Sequence, residues 1–95
     1  EIKELVTDLE RYRGNCGYFY EYSMKSIEDI IPVITEKYQT VTYFGVEAED
    51  IRSIVLKNKL TGIDRIVPIG KAMDISVIWD GYDLVRMMSR IIKTE

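Results

Sequence analysis

The sequence predicts a small α/β unit, a three-layer αβα arrangement with a three- to four-stranded, mostly parallel sheet joined by βαβ crossovers. Three observations carry this. Apolar residues alternate along the chain between helical and strand periodicity. The helical stretches between successive strand stretches are ten to twelve residues long, the length of a crossover connection. No repeat, low-complexity tract or Pro/Ser-rich linker divides the 95 residues, so residues 1–95 read as one domain.

The elements follow in order. Over residues 1–12, Ile2, Leu5, Val6, Leu9 and Tyr12 keep helical spacing, and Arg13-Gly14-Asn15 is a stop. Residues 17–24 alternate, with Tyr18, Tyr20 and Tyr22 on one side, and predict a strand. Ser26 caps a helix to about Lys37, with Asp29 in the capping-box position, and Pro32 predicts a kink or a late start. Residues 39–44 are β-branched and aromatic, a second strand closed by Gly45. Residues 48–58 place Ile51, Ile54, Val55 and Asn58 on one helical face, with Gly62 as a left-handed terminator. Residues 63–69 are a third strand whose Pro68 belongs at an end or edge. Residues 75–79 are a fourth short strand or a buried extended segment. Asp80-Gly81 then turns the chain into a last helix over residues 82–94, with Leu84, Val85, Met88, Ile91 and Ile92 as its apolar face.

Composition removes several chemistries. The chain has no His, which excludes His-based acid/base catalysis, Ser-His-Asp and Cys-His nucleophiles, and His metal sites. A single Cys forms no internal disulfide and fits a reducing compartment; with no secretory signal visible, the expected location is cytoplasmic. A net charge of −3 gives no basic footprint for nucleic acid, and no apolar run is long enough for a membrane span. The chain opens on Glu1, not Met, as a processed product or a cut-out piece would.

Motif tests narrow the chemistry further. Gly14-Asn15-Cys16-Gly17 has two glycines in a helix-to-strand turn, whereas a dinucleotide fingerprint needs three after a strand. Gly70-Lys71 is followed by Ala72, without the Ser/Thr of a phosphate loop. Cys16 beside Arg11 and Arg13 has the charge to favour a thiolate but no His partner, and reads as a small semi-buried residue. The tyrosines 18, 20 and 22 are a stacking platform or, more simply, one face of a strand. Glu28/Asp29 and Glu47/Glu49/Asp50 sit where helix starts favour acids, ahead of any cation role.

The stretch 62–82 combines a strand, a Pro-x-Gly turn, a loop and the only Trp ahead of Asp-Gly. Strand start, core Trp79 and an Asp80-Gly81 turn explain most of it structurally, while loops at strand ends of parallel sheets are where ligands bind.

The run Gly62-Ile-Asp-Arg-Ile-Val-Pro-Ile-Gly-Lys-Ala, continuing to Ile78-Trp79-Asp80-Gly81-Tyr82-Asp83-Leu84, resembles the closing segment of the bacterial acyl-CoA reductase family. This is the reductase type of the bioluminescence fatty acid reductase complex, with relatives in non-luminous bacteria. Gly14-Asn15-Cys16-Gly17-Tyr18 and Gln39-Thr40-Val41-Thr42-Tyr43-Phe44-Gly45 agree with it, so the resemblance covers nearly the whole chain.

The resemblance implies an aldehyde dehydrogenase-like fold and NADPH-dependent reduction of a long-chain acyl-CoA, or of an acyl group passed from a partner enzyme, to an aldehyde. A cysteine thioester would be the intermediate. Cys16 does not match the family's nucleophile, which lies upstream, as does the dinucleotide site. This chain then supplies walls of the acyl site, with Pro68, Gly70, Trp79, Asp80 and Gly81 as substrate-binding residues and no bound cofactor or metal. A stand-alone α/β binding module is the other expectation. Cut from a larger sheet, the chain is expected to self-associate.

Overall fold

The computed structural model describes residues 1, 3–14 and 16–95. Its centre is a βαβ unit: β1 (Thr40–Tyr43), α1 (Ala48–Lys57) and β2 (Arg65–Pro68). The strands pair in parallel, Thr40 opposite Arg65 through Tyr43 opposite Pro68. Pro68 ends its strand, where its missing N–H costs no ladder bond.

α1 forms because its apolar residues fall on one face: Ile51 and Val55 are buried, while Glu49 and Asp50 occupy the first turn and Lys57 the last, matching the helix dipole. Its end departs from expectation. Lys59 (φ 50°) is the left-handed residue, with Leu60 N–H donating to the Val55 carbonyl (3.0 Å) and Lys59 N–H to that of Leu56 (3.1 Å), a Schellman closure. Gly62 (φ 95°) instead turns the chain into β2, where a Cβ would overlap the Thr35 carbonyl.

Ser26 begins a helical segment as its spacing implies, but Ile27–Val33 is 3-10 because Pro32 removes a donor from the α ladder. The Asp29 carboxylate accepts from Ser26 N–H (3.4 Å) and Ser26 Oγ accepts from Glu28 N–H (3.4 Å). Val33 from this segment joins Ile51 and Val55 as the only buried apolar residues among those described.

The flanks differ from the sequence expectation. Of the helix over residues 1–12, a 3-10 turn at Leu9–Tyr12 forms, without a side-chain cap at Asp8; Ile2, and Asn15 of its stop, lie outside the described residues. A helix this short needs a packed face to persist, and none of Leu9–Tyr12 is buried. Residues 17–24 alternate as a strand would, yet among the described residues no strand lies alongside to complete a ladder, and Tyr18, Phe19 and Tyr20 are exposed. The Tyr20 ring instead meets Tyr12 edge-to-face (6.2 Å between centres) and Tyr18 at a tilt (5.7 Å).

The expected three- to four-stranded sheet is replaced by two two-stranded sheets. The second is antiparallel: β3 (Ile78–Trp79) pairs with β4 (Tyr82–Asp83), followed by α2 (Leu84–Met87). Asp80 (φ 50°) and Gly81 (φ 78°) are both left-handed, the geometry of a two-residue hairpin turn that Asp-Gly favours. Asp83 therefore caps α2 by accepting from Arg86 N–H (3.0 Å), and the helix stops far short of residue 94.

The chain is elongated, 63 × 31 × 25 Å, with a radius of gyration of 16.7 Å. A closed domain of this length would have about 12 Å. The molecule is mixed α/β with a small core and wide uncovered apolar flanks.

Candidate functional site

β2 presents Arg65 at its first position, and this side chain organises the segment that follows. Its Nη1 donates to the Ala72 carbonyl (2.6 Å) and Nη2 to those of Asp74 (3.0 Å) and Lys71 (3.4 Å). The guanidinium carbon lies 4.3 Å from the centre of the Trp79 ring, a cation–π contact. One side chain thus joins the strand, the loop after it and the β3–β4 hairpin. Lys71 and Asp74 close the same loop by an ion pair (3.1 Å).

Trp79 lies against Arg65 and Gly81 against Asp64, with Asp80 between them in the hairpin turn. Gly81 approaches so closely that a Cβ there would lie 3.1 Å from Asp64 Oδ1. Asp80 Oδ1 is buried without a hydrogen-bond partner among the described residues. Pro68 and Gly70 sit elsewhere: Pro68 closes β2 opposite Tyr43, and Gly70 (φ 90°) occupies an exposed turn with open space around its α-carbon. Of the five residues singled out from the sequence, three come together and two do not. Arg65, read from sequence only as a strand-start residue, is the one that gathers them; a cation three residues before the Pro-x-Gly turn, ahead of a lone Trp, was the available signal.

A separate groove of about 490 Å³ opens beside the C-terminal end of β1. Ile27, Ile30, Val41, Tyr43, Phe44 and Ile51 form much of its wall, with Lys25 and Ser26 among its polar groups. Its volume falls in the ~300–1,000 Å³ range of ligand pockets, and its place matches where open parallel sheets bind ligands. None of the five singled-out residues lines it. The strand-end rule pointed to the loop after β2, whereas the space lies after β1.

A third cluster ties the N-terminal segment down. Lys37 Nζ contacts Glu10 Oε1 at 2.8 Å and, chiefly through this hydrogen bond, holds the Glu10 carboxyl below its ordinary range. Burial, and then the Glu10 charge, push the Tyr38 hydroxyl upward. Cys16 is a free, exposed thiol, not the semi-buried residue expected. Among the described residues no three Cys, Asp or Glu side chains converge as a metal site, and no helix is long and apolar enough to cross a membrane. The Arg65–Trp79 cluster offers an aromatic plate, a fixed cation and carbonyl dipoles, groups that shape and position.

No protein-family model matches the chain, and neither a curated protein nor a solved structure does.

Proposed function

We propose that the chain is the closing segment of a long-chain fatty acyl-CoA reductase, a cytoplasmic oxidoreductase of the aldehyde dehydrogenase superfamily. The observation that carries this reading is the paired motif over residues 62–84. Arg65 of its first half lies over the Trp79 ring of its second, which supports reading the two halves as one structural unit.

In the whole enzyme an upstream cysteine thiolate would attack the acyl-CoA carbonyl carbon and release CoA as a thiol, leaving an acyl thioester. NADPH would deliver hydride to the thioester carbon, the cysteine would leave, and aldehyde and NADP⁺ would result. Trp79, Asp80 and Gly81, and more distantly Pro68 and Gly70, would form walls near the acyl chain, which reaches the enzyme as acyl-CoA or from an acyl-carrying partner. Further strands beside β1 and β2 would complete the three- to four-stranded sheet. Isolated, the 95 residues would self-associate and catalyse nothing.

The test is to express the complete reading frame containing these residues and follow NADPH oxidation and aldehyde formation with long-chain acyl-CoA. Aldehyde formed by the full protein, and none by residues 1–95 alone, is expected. A full protein that forms no aldehyde overturns the reading and favours a binding module; turnover by the 95 residues alone overturns the placing of nucleophile and cofactor site upstream.

A further inference from the structure

Among the described residues β1 keeps one edge unpaired. The Gln39 and Tyr43 carbonyls accept from Arg65 N–H (3.2 Å) and Ile69 N–H (3.0 Å), so the odd-numbered residues turn their backbone groups to β2. Thr40 and Thr42 turn theirs the other way, where no described strand pairs with them. Such an edge takes one kind of occupant, another extended chain.

The chain already holds that occupant at both ends. Lys37 Nζ ties down Glu10 (2.8 Å) just ahead of β1, and Met24 shares the groove wall with Phe44 and Val46 just beyond it. The stretch from Glu10 to Met24 therefore starts and finishes where β1 does, in the same direction. Its fourteen residue steps exceed the eight from Lys37 to Gly45, so it spans the strand with slack to spare.

Handedness selects the same edge. Strand–crossover–strand connections are right-handed, so crossovers on one face step their strands in one direction. The 3-10 segment Ile27–Val33 packs against α1, the crossover between β1 and β2. A strand that feeds this segment and returns as β1 then belongs beside β1, on the side away from β2.

We infer that residues 17–24 are a strap that closes on this edge as a third strand, parallel to β1. Met24 beside Gly45 sets the register: Tyr22 opposite Tyr43, Glu21 opposite Thr42, Tyr20 opposite Val41. Tyr20 and Tyr22 then fall on the face of the half-buried Val41 and Tyr43, and Glu21 on that of the exposed Thr42. Tyr22 N–H donates to the Thr42 carbonyl and Phe44 N–H to the Tyr22 carbonyl, pairing groups that the open edge leaves to water. The structure shows the strap open. Ordering its residues offsets the pairing gained, so the open form predominates in the isolated chain and closing is a minor excursion.

The inference stands independently of the acyl-CoA reading, since its test uses no substrate. In the 95-residue chain carrying Cys16→Ser, the pair Glu21→Cys with Thr42→Cys is oxidised in glutathione buffer alongside a control pair, Tyr20→Cys with Thr42→Cys. The two tethers are almost equally long. Residues opposite one another in a ladder lie about 4.8 Å apart and can be bridged, whereas positions 20 and 42 present opposite faces. The first pair should form its disulfide within one chain at least about tenfold faster than the control. Once locked, the Tyr22 and Phe44 amides should exchange at least about tenfold more slowly than in the reduced chain. Equal rates for the two pairs, or a locked chain whose Tyr22 and Phe44 amides are not slowed, overturns the strap. Disulfides that form only between chains overturn it too, and assign the edge to a second copy.

Discussion

Replacing Arg65 by Met removes three carbonyl contacts and the cation over Trp79 at once. The bonds to Ala72 (2.6 Å) and Asp74 (3.0 Å) are well formed, and that to Lys71 (3.4 Å) is long. Hydrogen bonds to charged groups contribute about 1.5–3 kcal/mol, but solvent reaches this guanidinium, so about 1 kcal/mol each for the two short ones is the appropriate scale. The cation–π contact adds about 0.5–1 kcal/mol. Arg65→Met should therefore cost about 2–3 kcal/mol, a large share of the ~5–15 kcal/mol typical of a domain. Arg65→Lys keeps the charge but not the fork, and should cost about half as much. Urea denaturation followed by the fluorescence of Trp79, the only tryptophan, reads this site directly. The Met variant's midpoint should fall by about 1–2 M, with a change in native-state emission. A midpoint within about 0.2 M of the parent in urea, with unaltered emission, would refute the clamp.

Further expectations concern other elements. Ile51→Ala, at the most buried side chain, should cost about 2–5 kcal/mol in the same denaturation, more than any substitution in residues 17–24. Gly62→Ala should destabilise more than Gly70→Ala; both force a left-handed alanine, but only the first meets backbone, at Thr35. Ser26→Ala should cost about 1 kcal/mol by removing the cap of the 3-10 segment, and Ser26→Asp should restore most of it. Because the Glu10 carboxyl titrates below its ordinary 4.5 when folded, its pairing with Lys37 supports the fold above that pH and is lost as pH falls through the folded-state value. Carboxyl NMR titration should show the Glu10 midpoint rising on Lys37→Met; no movement would dissociate the two residues.

The central βαβ unit was legible because every signal there agrees. Ile51 and Val55 mark a helix face, Thr40–Tyr43 and Arg65–Pro68 carry β-forming residues, and each strand found the other. The flanks were misread because periodicity reports what a segment could bury, not whether a neighbour is there to bury it. Tyr18 and Tyr20 alternate as in a strand but have no ladder, and Ile91 and Ile92 complete a helical stripe with no surface beneath it. At the site, Asp80-Gly81 was legible as a turn because that dipeptide tolerates left-handed backbone. The gathering role of Arg65 was not, since only folding brings the carbonyls of Lys71, Ala72 and Asp74 back onto it. The 490 Å³ groove escaped for the same reason, its wall being drawn from three separate segments.

The account rests on a folded βαβ centre, clamped to a hairpin through Arg65, with apolar flanks that await a covering surface. Residue-resolved amide hydrogen exchange on the 95-residue chain at low concentration tests this most directly. Slow exchange is expected at the α1 amides and at the β1–β2 ladder, with residues 17–24 and 89–95 exchanging near the rate of an unfolded chain. Comparable protection across residues 17–24 and 75–79, as a continuous sheet would give, would contradict it.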